Sequence, residues 1–333
     1  MIYAVWLPLL VPLLAAPLAR RGAESLPPRA AAWALTCLAL ALALSSTAAL
    51  TLLALDGALR LPFVAALGHL SPNLLGDGSP ATAPAAVLAA VALVGLGALV
   101  LHRARRHVRE LRAVHGQLAD HASAGDLTVR QDDGPDAYAL PGRPGRIVVT
   151  TGMLRALSAP EREVLFAHER AHLAGRHHVF LAAAEFAAAL HPALRGLRAP
   201  LSYALERWAD ECAARVTGDR ALTARAVGRA ALAVSAAGPR PRPRLSLTAT
   251  AGPVPRRVTA LLAPAPTIAR THHLFPRALA ALLLACVALS ATAALEAATD
   301  LHAGIETAQG ESAGHGFGDA YGDGDGDGDG DGN

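Results

Sequence analysis

The stretch "HERAHLAGRHH", residues 168–178, sets four histidines and a glutamate within eleven positions. It contains His168-Glu169-x-x-His172. On a helix, residues four apart share a face, so the two imidazoles can close on one metal ion. Glu169 then stands beside that ion, placed to take a proton from a water that zinc holds and acidifies. From the chain's own His and Glu content, such a motif is expected by chance only about 0.02 times.

The third ligand has two candidates. The stretch also fits H-E-x-x-H-x-x-G-x-x-H, in which Gly175 turns the chain and His178 binds the metal. That pattern, the metzincin one, needs a methionine turn downstream. Met1 and Met153 both lie upstream. The rival lies in "SYALERWADECAA" (202–214), where Glu206 and Asp210 are i and i+4 on the next helix. Glu206 would complete a His, His, Glu set that leaves one position for water. Asp210, one turn on, would receive the second N–H of a ligand histidine and fix its tautomer.

Outward from these motifs, Ser158-Ala159-Pro160-Glu161 reads as a capping box opening the histidine helix. "DLTVRQ" (126–131), "AYAL" (137–140) and "RIVVTT" (146–151) predict short strands. "VFLAAAEFAAAL" (179–190) predicts an apolar helix ending near His191-Pro192, and a further helix runs from about Pro200 to Val216. His177, His178 and His191 read as polar groups near the site or a membrane surface.

The chain has 333 residues, 53% hydrophobic but only 4% aromatic. Its apolar mass is gathered in blocks, which predicts a membrane protein. Four segments have spanning length, at about 2–18, 30–55, 81–101 and 278–298. The arginines that follow the first segment favour a retained anchor over a cleaved leader. Arg20, Arg21 and Arg29 lie in the first loop, five arginines lie in "HRARRHVRELR" (102–112), and Arg270 and Arg277 precede the fourth segment. By the positive-inside rule the N-terminus is outside a bacterial plasma membrane, residues 102–277 are cytoplasmic, and the tail is outside. The arginine-rich segment can also meet anionic lipid headgroups.

Residues 1–101 thus read as three spanning helices and 102–277 as a catalytic domain. Within it, 238–257 is a Pro/Arg-rich linker, read as an inert tether. Residues 278–298 form a fourth helix and 299–333 a disordered Asp/Gly-rich tail. The tail suggests a calcium loop, but its twelfth-position glutamate would fall past Asn333. The net charge of +3 and the lack of a recognised motif exclude nucleic-acid binding. Cys37, Cys212 and Cys286 lack C-x-x-C spacing, so no disulfide framework is expected.

His168-Glu169-x-x-His172 with Glu206-x-x-Ala209-Asp210 resembles the gluzincin pattern of integral-membrane metallopeptidases. These include the HtpX-like and CAAX-prenyl peptidases and the BlaR/MecR sensor-transducers. "AYALPGRPGRIVVTTGML" (137–154) is similar to their strand-and-turn lead-in. Three helices, a zinc domain and a fourth helix is the BlaR/MecR layout in particular, and the likeness covers about 1–300. It implies an α+β zinc peptidase domain between the third and fourth helices of a mainly α membrane protein. It also implies one zinc ion held by His168, His172 and Glu206, with Glu169 as general base and Asp210 supporting a ligand. The substrate would be a protein, in that group a cytoplasmic repressor. Residues 299–333 carry no S-x-x-K nucleophile, so the penicillin-binding domain that the sensors carry after the fourth segment is not expected from this sequence. The rival from another class is a signalling or scaffold component with a non-proteolytic zinc site. Structural zinc is normally closed by four protein ligands, and three plus Glu169 favour catalysis.

Overall fold

Long alanine- and leucine-rich runs satisfy their backbone groups internally only as helices. The computed structural model describes residues 2–59, 82–118, 123–238 and 253–264, with isolated positions between 61 and 63 and between 281 and 303. The first three helices are α1 (Ile2–Ala23), α2 (Pro28–Leu59) and α3 (Thr82–Gln117). Two of them, α2 and α3, are long and apolar enough to cross a membrane. The third apolar segment and the arginine-rich stretch 102–112 are one continuous helix. Most of the expected fourth segment, 278–298, lies outside the described residues, as do residues 239–252 of the linker and most of the tail.

The chain forms two compact units. The smaller holds Met1–Leu9, Ser45–Gly95 and Leu289–Asn333. In it the Ser46 hydroxyl donates to the Pro8 carbonyl at 2.6 Å. Gly57 brings α2 against α3: a Cβ there would fall 2.1 Å from that of Ala86, so only glycine permits the approach.

The larger unit holds Leu10–Leu44 and Leu96–Ala288. A four-stranded sheet comprises β1 (Ser123–Ala124), β2 (Leu127–Arg130), β3 (Ala137–Leu140) and β4 (Arg146–Thr150). Its order is β1-β2-β4-β3, with β2 parallel and β3 antiparallel to β4. Because side chains alternate along a strand, β3 and β4 bury both faces. Tyr138, Leu140 and Val148 meet Leu111 and Val114 at the end of α3. Ala137 and Val149 turn the other way, onto Met153, Leu157, Leu165 and Ala230. The sheet is thereby a wedge between α3 and the site helices.

Those helices are α4 (Thr151–Ala156), α5 (Ala159–Ala174), α6 (His177–Leu190), α7 (Arg198–Thr217) and α8 (Arg220–Ala237), with a 3-10 turn at Pro192–Leu197. The capping box forms: Glu161 accepts from the Ser158 N–H at 2.9 Å and from its hydroxyl at 2.8 Å. An apolar cluster joins the end of α1, the start of α2, α6, the 3-10 turn and α7, through Ala15, Ala32, Leu42, Leu194, Leu201 and Leu205. A further helix, α9 (Val254–Leu262), starts inside the stretch 238–257. This corrects the end of that stretch: residues 254–257 are helical, in a helix whose stripe Val254, Val258 and Leu261 packs on Ala214, Ala224 and Val227.

Candidate metal centre

Helix α5 turns its buried face by the i, i+4 rule: Leu165 and Glu169 on one row, Val164, His168 and His172 on the next. On α7 the rows Leu205-Ala209-Ala213 and Glu206-Asp210-Ala214 are buried likewise. Ala209 and Ala213, both fully buried, are small enough to let α5 and α7 approach closely. That closeness carries Glu206 to the histidines across 34 residues of chain.

The structure brings together three of the residues singled out as ligands. His168 Nε2 and His172 Nε2 are 3.0 Å apart. Glu206 Oε2 is 3.4 Å from the first, and its Oε1 is 3.7 Å from the second. One ligand atom from each residue lies within 4.8 Å of the others, and all three side chains are buried, so the group could hold a metal ion. His178 does not join them. Helix α5 ends at Gly175, and Arg176 takes the left-handed conformation at φ 50°. That turn starts α6 at His177, whose ring, rather than that of His178, faces the cluster.

Two supporting groups escape the sequence motif. His177 Nδ1 lies 2.7 Å from His172 Nδ1, and its ring packs on Trp208 at 4.6 Å between centroids. Gly175 makes room for it, since a Cβ there would sit 2.4 Å from His177 Nε2. Arg257 of α9 is fully buried. Its Nε and Nη2 donate to Asp210 at 2.8 and 2.6 Å, and its Nη1 lies 2.9 Å from Glu206 Oε2. Asp210 in turn places Oδ1 3.1 Å from His168 Nδ1. His177 was visible as one more histidine of the cluster. The only trace of Arg257 is an arginine on the apolar stripe Val254, Val258, Leu261, 47 residues beyond its partner.

Burial and charge set the titration of the site. Burial raises the Glu206 carboxyl above its ordinary range, against the pull of Arg257. Burial would also raise Asp210, but the charge and hydrogen bonds of Arg257 outweigh it and hold it at about 2. Burial would lower His168, yet hydrogen bonds and charge from Asp210 and Glu206 push it up to about 9. His172 is held well below its ordinary value, chiefly by burial. One histidine thus attracts a proton and its neighbour repels one.

The charge count agrees. Glu169, Glu206, Asp210 and Arg257 are all fully buried, three carboxylates against one guanidinium. With neutral imidazoles, which ligation requires, the excess is two negative charges, and buried charge is costly unless paired. A divalent cation matches both the donor set and the balance.

No curated protein and no solved structure matches the chain. A family model, that of peptidase family M48, matches residues 105–191. The matched region includes His168, Glu169 and His172 and stops before Glu206, Asp210 and Arg257. Metallopeptidase activity is what that match supports: over residues 105–191 the chain is similar to peptidase family M48.

Proposed function

We propose that this protein is an integral-membrane zinc metalloendopeptidase that hydrolyses peptide bonds of a protein substrate. The observation that carries the reading is the convergence of His168 Nε2, His172 Nε2 and the Glu206 carboxylate in one buried cluster, with a further carboxylate, Glu169, next to His168 in the chain. His168, His172 and Glu206 would hold the ion. When bound, zinc supplies Lewis-acid chemistry and makes water a nucleophile at neutral pH.

The rest of the chemistry belongs to the chain. Glu169 is a carboxylate not needed as a ligand, so it serves as general base: its side chain accepts the proton of the attacking water and returns it to the leaving amine. Asp210 keeps the His168 Nδ1 proton on its own side, so Nε2 presents its lone pair to the cluster. His177 does the same for His172. His168, His172, Glu206 and Glu169 are all buried, and exclusion of bulk water strengthens each interaction among them.

The length and apolar composition of α2 and α3 support a membrane location, and the arginine pattern supports a cytoplasmic active site. A cytoplasmic repressor cleaved in response to a signal is the substrate that the sensor-transducer resemblance suggests. The test uses detergent-purified protein, with bound metal and casein cleavage measured for the wild type and for Glu169→Gln. The variant is expected to keep its zinc and to lose activity by about 10²–10⁴-fold. Equal cleavage by two zinc-loaded forms would overturn the mechanism.

A further inference from the structure

We propose that Arg257 is a positioning residue of the metal centre, acting on one ligand directly and on a second through Asp210. The proposal rests on the metallopeptidase reading of the site. Its basis is the hydrogen-bond geometry of one guanidinium.

Arg257 spends all three nitrogens on the cluster. Nε and Nη2 form a two-bond fork with Asp210 at 2.8 and 2.6 Å, which fixes the plane of that carboxylate. Asp210 Oδ1, the atom that Nη2 holds, is also the atom 3.1 Å from His168 Nδ1. The ring of His168 is therefore oriented through a carboxylate that cannot rotate. The remaining nitrogen, Nη1, lies 2.9 Å from Glu206 Oε2 and leaves Oε1 toward His172 Nε2 at 3.7 Å. Two of the three ligand residues are thus held in register by one side chain from a helix that lies beyond the 105–191 family match.

The helix is built to deliver that side chain. Its apolar stripe seats α9 on α7 and α8. Arg220 closes its end by donating to the Ala260 and Leu261 carbonyls, each at 3.0 Å, groups a helix C-terminus leaves unpaired. Arg256, one residue earlier, points elsewhere, over the Tyr203 ring and to Glu24. A lysine cannot replace Arg257, since an ammonium lacks the planar fork.

The experiment measures zinc affinity of the full-length protein in detergent by competition with a chromophoric chelator. Arg257→Met is expected to weaken binding by about 10–100-fold, the usual effect of losing a group that orients a ligand. Arg257→Lys should recover only part, and Arg256→Ala should stay within about twofold, as expected of a group outside the network. The paired variant Asp210→Asn/Arg257→Met should bind no more weakly than Arg257→Met alone, because losing Arg257 already cuts the path through Asp210. Should Arg257→Met fail to fold, the paired variant, which removes both buried charges, and Arg257→Lys carry the decision. Wild-type affinity in Arg257→Lys, or losses from Asp210→Asn and Arg257→Met that multiply, would reduce Arg257 to a structural ion pair and overturn the proposal. A wild type that binds no zinc would instead overturn the site reading itself, so the two failures are distinguishable.

Discussion

The larger unit buries two neighbouring networks that are built by opposite rules. The metal centre gathers histidines, carboxylates and Arg257 at defined distances. The apolar cluster beside it is mostly alanine and leucine from α1, α2, α6 and α7. Helix α7 belongs to both, with Glu206 and Asp210 on one row and Leu201 and Leu205 on another. In the polar network each buried group depends on a few defined partners, so an error is expensive. In the apolar network dispersion is spread over many contacts, so one loss is absorbed locally. The comparison predicts that changes in the first alter metal binding out of proportion to stability, and changes in the second do the reverse.

The largest effect should come from the ligands. His168→Ala is expected to lower zinc affinity by more than about 100-fold, beyond the effect of an orienting group, with helical content by circular dichroism unchanged. Normal zinc stoichiometry in His168→Ala would break the assignment. On the apolar side, Leu205→Ala should cost about 2–5 kcal/mol from lost burial and a residual cavity, read as a lower Tm. The fraction that remains folded should still carry one zinc per chain.

The two networks touch at His177, whose Nδ1 faces His172 while its ring lies on Trp208. The aromatic contact continues from Phe180 to Trp33 of α2, at 4.9 Å between centroids. His177→Phe keeps a ring on Trp208 and removes the nitrogen. A drop of about 10-fold in zinc affinity at nearly constant Tm is expected, the low end for an outer partner of a ligand. A fall in Tm with unchanged affinity would make His177 a packing residue and move the boundary between the networks.

What could be read in the sequence follows the same division. The i, i+4 pair on α5 is local, and a helix alone fixes its geometry, so His168 and His172 were legible from five residues. Glu206 and Asp210 were legible because they too share a row, on the next helix, and a two-histidine site requires a further ligand. Strands β2, β3 and β4 were visible as short runs punctuated by Gly and Pro, whereas β1 was not, and the parallel pairing of β2 with β4 has no sequence mark. Arg257 was hidden for a physical reason. A buried ion pair is specified by partners that meet only after folding, and one arginine among 30 basic residues, even on an apolar stripe, does not name the carboxylates it will meet. Its helix is nine residues long and owes its stability to packing on α7 and α8, since so short a helix is marginal alone.

The smallest predicted effect lies where α5 begins. Burial would raise the Glu161 carboxyl, but the Ser158 N–H and hydroxyl, together with Arg229, outweigh it and leave it lowered. A depressed carboxyl stabilises the fold above its ordinary value of 4.5, and that contribution disappears as pH falls through the lower folded value. Glu161→Gln keeps the size of the side chain but does not titrate. Its destabilisation, read from urea midpoints, should be about 1 kcal/mol near neutral pH, the scale of a lost cap. The gap should shrink as pH falls from about 5 to about 3, across the carboxylate range. Because the cap lies about two turns before His168, zinc affinity at neutral pH should not change. A pH-independent gap, or a loss of zinc with the cap, would show that the helix start and the metal centre are one network rather than two.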